Sequence, residues 1–255
     1  MLDGHLAITD PSERPIWLPE TEFMLSRSNF RHLIGIMVGA SLSPGLLAAQ
    51  TIPSPYTFLE TRQEAGLFAG VMSPGTGRFG FGPGQGPVWG LRYGINVSGP
   101  FGLEAVVTHF PTGRDMIDPG RVEGDRVVGD MSADVVMIDG RLRFSLTGDR
   151  AWHGLSPFVL AGGGLAFDMA KDNSDEEILL ADDRFKFSTT FVGLLGTGVR
   201  WFPSERIFVR GDMSLSIWRL KTPRGFRDPE RAFENVGERE WVSGPSFSLG
   251  VGYRF

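Results

Sequence analysis

The stretch "SFSLGVGYRF", residues Ser246 to Phe255, alternates between two kinds of side chain with a period of two. Such a period places successive side chains on opposite faces of a β-strand. One face carries Phe247, Leu249, Val251, Tyr253 and Phe255. The other face carries Ser246, Ser248, Gly250, Gly252 and Arg254. The sequence therefore predicts a strand with one large apolar face and one small or charged face.

Seven earlier segments alternate in the same way, and the spacing of an amphipathic helix does not appear after Gln50. A tilted strand crosses a bilayer with about 9 to 11 residues, and most of these segments are that long. The chain after Gln50 is therefore predicted to be all-β, with eight strands near 63–72, 88–98, 101–110, 133–147, 157–169, 185–201, 206–219 and 241–255.

The connections between the predicted strands alternate in length. Those after the second, fourth and sixth strands are short or moderate, as in "SGP" at 98–100 and "PSER" at 203–206. Those after the first, third, fifth and seventh strands are long and polar, as in "KDNSDEEILLADDR". Short turns at one end and long loops at the other are typical of a transmembrane barrel.

An antiparallel sheet with one solvent-exposed face has the same alternation of side chains as a lipid-facing barrel. The residues on the polar faces distinguish the two. These faces carry arginine with almost no lysine, together with many glycines and serines, which suits a narrow packed interior. Membrane burial also requires that no sheet edge is left open. We predict an eight-stranded antiparallel up-and-down transmembrane β-barrel. Its predicted lumen charge network is Glu64, Arg92, Glu104, Asp139, Arg141, Arg143, Arg200, Arg210, Asp212 and Arg254.

Aromatic residues are expected at the two membrane interfaces of such a barrel. On the short-turn side they are Phe101, Trp201, Tyr253 and Phe255. On the long-loop side they are Trp89, Phe167, Phe185 and Trp241.

The N-terminal part has the order of a secretory signal peptide. Arg27 and Arg31 precede an apolar run over 33–47, and Ala48-Ala49 follows as a small-residue cleavage site. The run is too short and too interrupted for a spanning helix, which needs about 20 apolar residues. We expect residues 1–49 to be a presequence with its functional start at Met24, and residues 50–255 to form the barrel.

The composition argues against several classes of function. The net charge is −5 and no basic stripe is present, so a nucleic-acid partner is not expected. The chain has no cysteine, which excludes disulfides, zinc-thiolate sites and thiol nucleophiles.

The predicted signal, eight alternating strands, asymmetric loops and terminal "GVGYRF" make the chain resemble the small OmpA/OmpX-type outer-membrane β-barrel proteins of Gram-negative bacteria. Stretches such as "PFVLAGGGLAF" are similar to the broad outer membrane protein beta-barrel domain family. The resemblance implies an outer-membrane location, with lipid and lipopolysaccharide as partners. It also implies that the barrel assembly machinery reads the last strand, with Val251, Tyr253 and Phe255 as the assembly signal.

Three motifs suggest chemistry, and each has a simpler interpretation. "GTGRFG" at 75–80 matches a dinucleotide fingerprint, but no helix is predicted after it. The acidic stretch after Lys171 offers oxygen ligands for Ca²⁺, without the spacing of an EF-hand. His109 ends the third strand with no nucleophile motif nearby. We therefore expect no catalytic residue, no cofactor and no metal.

The sequence favours a non-enzymatic structural or surface-interaction role, in which a barrel with a charge-filled lumen displays long loops to an unidentified extracellular ligand. One alternative is a small pore for small solutes, opened by rearranged arginine-carboxylate pairs. A second is an outer-membrane lipid-modifying enzyme that uses His109 as its general base.

Overall fold

The computed structural model describes residues 54–60, 62–170, 177–231 and 233–255. The predicted presequence, 1–49, lies outside these residues. Eight long strands are present: β2 (Gln63–Met72), β3 (Gly86–Ser98), β4 (Phe101–Ile117), β5 (Val127–Ser145), β7 (Leu155–Asp168), β8 (Thr190–Trp201), β9 (Ile207–Lys221) and β10 (Arg239–Arg254). Two short strands accompany them, β1 (Tyr56–Phe58) and β6 (Arg150–Trp152).

The eight long strands form a closed antiparallel ring. Each pairs with its neighbours along the chain, and β10 pairs with both β9 and β2. Leu249 of β10, for example, lies opposite Gly211 of β9 and opposite Ala69 of β2. The short strands β1 and β6 pair with each other beside the ring. The predicted fold class, an eight-stranded up-and-down barrel, is confirmed.

The two ends of the barrel differ as predicted. The connections at 99–100, 146–154 and 202–206 lie at one end, and those at 73–85, 118–126, 169–189 and 222–238 lie at the other. Two short 3-10 helices, Arg224–Arg227 and Pro229–Arg231, lie in the last long loop. Among the described residues, no helix is long and apolar enough to cross a membrane.

The distribution of exposure is the reverse of that in a soluble protein. Leu67 is 60% exposed and Leu249 is 56% exposed, whereas Arg210 is 0% and Arg143 is 1% exposed. A continuous apolar exterior of this size would aggregate in water, and lipid is the solvent that suits it. The alternation of large apolar residues with small or charged ones therefore builds a transmembrane barrel.

Some predicted element boundaries were wrong. The sixth predicted strand, 185–201, begins only at Thr190. Phe185, which we expected in the aromatic belt, is 4% exposed and packs inside the loops at the mouth of the barrel. Phe187, which lies within the same predicted strand, packs against the same interior cluster. The hairpin of β4 and β5 is also longer than predicted, because its strands continue to Ile117 and start at Val127.

Candidate functional site

The lower part of the lumen, nearer the short turns, is filled by ion pairs that cross the barrel. Glu104 accepts hydrogen bonds from Nη1 of Arg143 and Nη1 of Arg210, each at 2.6 Å. Glu64 is paired with Arg143 and, at 3.2 Å, with Nη1 of Arg200. These five side chains are each at most 4% exposed. They come from five strands, so the network joins the walls of the barrel to one another.

A third carboxylate extends this network upward. Asp212 accepts from Nε of Arg210 at 2.8 Å and from Nη2 of Arg92 at 3.2 Å. Nε of Arg92 also lies 3.8 Å from Glu104. A buried charge is costly unless it is paired and hydrogen-bonded, and this arrangement satisfies that condition for most of the charged atoms.

Three members of the predicted network are arranged differently. Asp139 pairs with Arg141 on its own strand rather than across the lumen. Arg254, which we expected to reach a carboxylate across the barrel, donates to the backbone oxygen of Glu205 at 3.1 Å. Its guanidinium lies 5.0 Å from the ring centre of Phe202. No carboxylate lies within ion-pair distance of Arg254 in the part of the chain that the structure describes.

Uncharged side chains also take part in the network, and their roles were not predicted from the sequence. Nη2 of Arg200 donates to the hydroxyls of Ser145 and Ser156 at 3.1 and 3.2 Å. Nη2 of Arg143 donates to the side-chain oxygen of Asn96 at 2.6 Å. The guanidinium of Arg210 lies 4.2 Å from the ring centre of Phe158. The inward parity of the serines was visible in the sequence, but their pairing with particular arginines depends on the stagger of the strands.

Above the ion pairs lies a small chamber lined by hydroxyl groups. Its lining includes Thr108, Ser214, Ser216, Ser246 and Ser248. The free volume is about 30 Å³. One water molecule needs about 10 to 15 Å³ of such space, so the chamber has room for only a few waters. The chamber therefore does not provide a continuous column of water.

An apolar layer closes the lumen above this chamber. It is formed by inward side chains from several strands, and Phe110 is 1% exposed, Met72 is 2% exposed and Trp218 is 3% exposed. Only polar residues were predicted in the lumen, so this apolar layer was not expected. The signal was available, because Trp218 and Leu220 continue the inward parity of Asp212.

The mouth of the barrel is covered by an aromatic cap, which we define as Phe79, Phe81, Phe185, Phe226 and Phe233. Three long loops supply these residues, at 73–85, 169–189 and 222–238. The ring centres of Phe79 and Phe226 are 4.7 Å apart, and those of Phe81 and Phe185 are 4.8 Å apart. Phe226 is 0% exposed. The loops therefore share a hydrophobic core, which continues into the apolar layer of the barrel.

Polar contacts fix the aromatic cap from outside. The side chain of Glu240 accepts from the backbone N–H of Arg78 at 3.0 Å. The guanidinium of Arg126, which comes from the remaining long loop, lies 4.7 Å from the ring centre of Phe233. All four long loops therefore meet over the lumen.

A buried carboxylate also contributes to this loop structure. Nη1 of Arg231 donates to Asp183 at 2.5 Å, and Asp183 is 3% exposed. The hydrogen bond to Asp183 raises the pKa of the Arg231 guanidinium above its usual value. Asp183 belongs to the acidic stretch considered for Ca²⁺, and it binds the last long loop. Residues 171–176 of that stretch lie outside the described residues. No group of metal-ligating side chains is found among the described residues.

His109 lies on the outer wall and does not complete a catalytic triad. Its Nε2 contacts a carboxylate oxygen of Asp134, and its ring centre is 4.8 Å from that of Trp89. Its Nδ1 has no hydrogen-bond partner. A general base needs a nucleophile within hydrogen-bond reach, and no hydroxyl of the described residues is bonded to His109.

The architecture defines the class of the protein. A closed ring of eight antiparallel strands, apolar outside and charged inside, is the architecture of the small OmpA/OmpX-type outer-membrane β-barrels. The predicted outer-membrane location is confirmed with it. In this class the short turns face the periplasm and the long loops face the outside.

Comparisons with solved structures find similar chains at low sequence identity. The N-terminal β-barrel domain of Pseudomonas aeruginosa OprF is 12% identical over 77% of this chain and 100% of that chain, with a TM-score of 0.40. Neisserial surface protein A is 11% identical over 76% and 97% of the two chains, with a TM-score of 0.48. The Escherichia coli outer membrane protein W is 18% identical over 77% and 100%, with a TM-score of 0.43. No family model and no curated protein matches the sequence.

Proposed function

We propose that this protein is a non-enzymatic barrel whose sealed lumen supports an ordered loop surface for interactions outside the cell. The observation that carries this proposal is the aromatic cap, in which Phe226 is 0% exposed although it belongs to a loop. Surface loops usually lack a core of their own, and loops that share one present a defined surface.

The filled lumen supports the same proposal and disfavours a pore. The cross-lumen ion pairs, the chamber of about 30 Å³ and the apolar layer occupy three successive levels of the barrel. A conducting path would have to open all three levels. Rearrangement of the arginine-carboxylate pairs alone would leave Phe110 and Trp218 in place.

An enzymatic role finds less support. His109 has a carboxylate partner, which orients an imidazole as a base requires, but no hydroxyl is bonded to it among the residues described. The lipid-facing Val251, Tyr253 and Phe255 remain available for the proposed recognition by the barrel assembly machinery, since they are 51%, 46% and 56% exposed.

Replacement of the last long loop tests the proposal. In the test variant, residues 224–236 are exchanged for a short glycine-serine linker, which removes Phe226 and Phe233 from the aromatic cap. The matched control carries the same linker inserted at Gly148, in a periplasmic turn where a Cβ would meet no atom within 4 Å. Both proteins are produced in a host strain that lacks the chain, and folding is verified by the gel mobility of unheated samples.

Adhesion of these cells to epithelial monolayers and to immobilised mucin is then compared with that of the empty strain. We expect adhesion above the empty strain for the wild type and the turn-insertion control, and loss of that adhesion in the loop variant. Undiminished adhesion of the loop variant, or a wild type equal to the empty strain, would contradict the proposal.

A further inference from the structure

A basic cluster faces outward at the outer ends of β9 and β10, and we call it the outer basic rim. It consists of Arg219, Lys221 and Arg239, all exposed. The three residues continue the outward parity of Met213, Leu215 and Ile217. The outer basic rim therefore stands directly above the lipid-facing wall, at the level where the apolar surface ends.

The strand register brings the three cations together. Arg239 lies directly opposite Lys221, and Trp241 lies directly opposite Arg219. Directly opposite residues on one face of an antiparallel pair have Cβ atoms about 4.5 to 5.5 Å apart. The guanidinium carbon of Arg219 lies 4.2 Å from the ring centre of Trp241, which fixes its position.

The charge of the outer basic rim is not neutralised by the protein. None of its three cations forms an ion pair with a described residue. The neighbouring acids point elsewhere: Glu240 binds the backbone N–H of Arg78, and Glu238 pairs with Arg227 at 2.9 Å. Like charges directly opposite each other in a sheet are unfavourable, so Lys221 and Arg239 cost stability unless an anion lies between them.

A surface depression of about 280 Å³ lies at the rim. Its walls include the three cations, Trp241, Phe191 and the hydroxyl-bearing Ser188 and Thr189. Arginine and lysine with hydroxyl donors are the groups that proteins use to bind phosphate. Tryptophan at this depth is typical of the membrane interface.

The opposite side of the barrel is different, so the rim is a local feature rather than a general property of the surface. There β4 and β5 carry the outward acids Asp115 and Asp130, directly opposite each other. Asp134 follows on the same face. An anionic lipid headgroup would be attracted to the β9–β10 side and repelled from the β4–β5 side.

From these features we infer that the outer basic rim binds the phosphate groups of lipids in the outer leaflet of the membrane. The acyl chains of such a lipid lie along the apolar wall below, formed by Ile217 and Phe191, while the three cations and Trp241 hold the headgroup. The site is independent of the proposed surface function, because it lies on the barrel wall and involves no residue of the aromatic cap.

Lipid retention measured by native mass spectrometry tests the site. The full-length chain is folded in a neutral zwitterionic detergent that is doped with bis-phosphorylated lipid A, or with the same lipid after removal of its phosphates. The test variant combines Arg219→Gln, Lys221→Gln and Arg239→Gln. The matched control is Arg121→Gln, an exposed loop arginine whose side chain is 48% exposed.

We expect the wild type and Arg121→Gln to retain the phosphorylated lipid in preference to the dephosphorylated one. Each cation near an anionic surface contributes about a fivefold change in affinity, so the triple variant is expected to bind about a hundredfold more weakly. A triple variant that folds, as judged by gel mobility, and retains the phosphorylated lipid as well as the wild type would overturn the inference. Equal retention of the two lipids by the wild type would overturn it as well.

Discussion

Arg210 and Glu104 meet across the lumen, with 2.6 Å between Nη1 of the arginine and Oε1 of the carboxylate. They belong to β9 and β4, which lie on opposite sides of the strand ring. The two strands are not neighbours in the ring, and no turn connects them. The contact therefore forms only when the barrel is closed. The pair therefore stabilises the closed ring rather than any one hairpin.

Substitution of Glu104 by glutamine is expected to destabilise the barrel strongly. It removes the carboxylate shared by Arg143, Arg210 and Arg92 and leaves buried cations without their partner. Breaking a buried ion pair in this way lowers the free energy of unfolding by about 3 to 5 kcal/mol. Urea unfolding in lipid vesicles, followed by tryptophan fluorescence, measures the change.

Asp125→Asn provides the control for this experiment. Asp125 is also paired with an arginine, Arg121, at 3.6 Å, but its side chain is 74% exposed. Exposed pairs contribute about 0 to 1 kcal/mol, so little change is expected. An unfolding free energy equally affected in both variants would mean that the cross-lumen network is not a source of stability.

Truncation of Phe226 to alanine is expected to loosen the loops without unfolding the ring. Phe226 is 0% exposed and contacts both Phe79 and Phe81 in the aromatic cap. Removal of a buried phenyl ring costs about 3 to 5 kcal/mol of packing, and this ring contacts several residues of the aromatic cap at once. Trypsin should then cleave rapidly after Arg224 and Arg227, as mass spectrometry of unheated samples would show.

Val122→Ala serves as the comparison, because Val122 lies in another long loop and is 76% exposed. Its cleavage pattern should match that of the wild type. If Phe226→Ala remained as resistant to trypsin as the wild type, the aromatic cap would not be the element that orders these loops.

Much of the fold could be predicted from the sequence, because large apolar side chains alternate with small or charged ones along each strand. In β10 the parity of Leu249 and Arg254 alone indicates which side chain meets lipid and which lies inside. The ten charged residues that the same rule assigns to the lumen are each at most 8% exposed.

The ion-pair partners and the loop packing could not be predicted. They depend on contacts in the folded barrel that the alternation of side chains does not specify. Parity cannot say that Arg143 is shared by Glu64 and Glu104, because the partners are set by strand stagger. Nor does it apply to loops, which is why Phe185 was expected at the membrane interface and instead packs inside the aromatic cap. Arg254 lies directly opposite Glu64 in the β10–β2 register, but the Glu64 carboxylate is paired with Arg143 and Arg200, and Arg254 binds a turn carbonyl instead.

Two glycines of neighbouring strands should differ in their tolerance of alanine. A Cβ on Gly164 would lie 2.5 Å from Cα of Asp139 and 2.7 Å from its Cβ, so β5 and β7 would have to separate. A Cβ on Gly140 would meet no atom within 4 Å. Gly164→Ala should reduce the fraction of folded barrel in unheated gel samples, whereas Gly140→Ala should fold like the wild type. Equal folding of the two variants would contradict the close approach of these strands.

His109→Ala is expected to leave lipopolysaccharide chemistry unchanged. Because no hydroxyl of the described residues is bonded to His109, the imidazole has no nucleophile to activate. Mass spectrometry of lipid A from cells that produce the wild type, the variant or neither should show the same acyl chains in all three. Acyl release that occurs with the wild type and disappears in His109→Ala would instead establish the enzymatic alternative.

The central claim is that ion pairs, the hydroxyl-lined chamber and the apolar layer fill the lumen from the short turns to the aromatic cap. Single-channel recording of the purified barrel in planar bilayers tests this claim most directly. We predict a silent membrane, both for the wild type and for the variant that lacks residues 224–236. Discrete conductance steps from the wild type would contradict the account, because they require a water path through Glu104, Thr108 and Phe110.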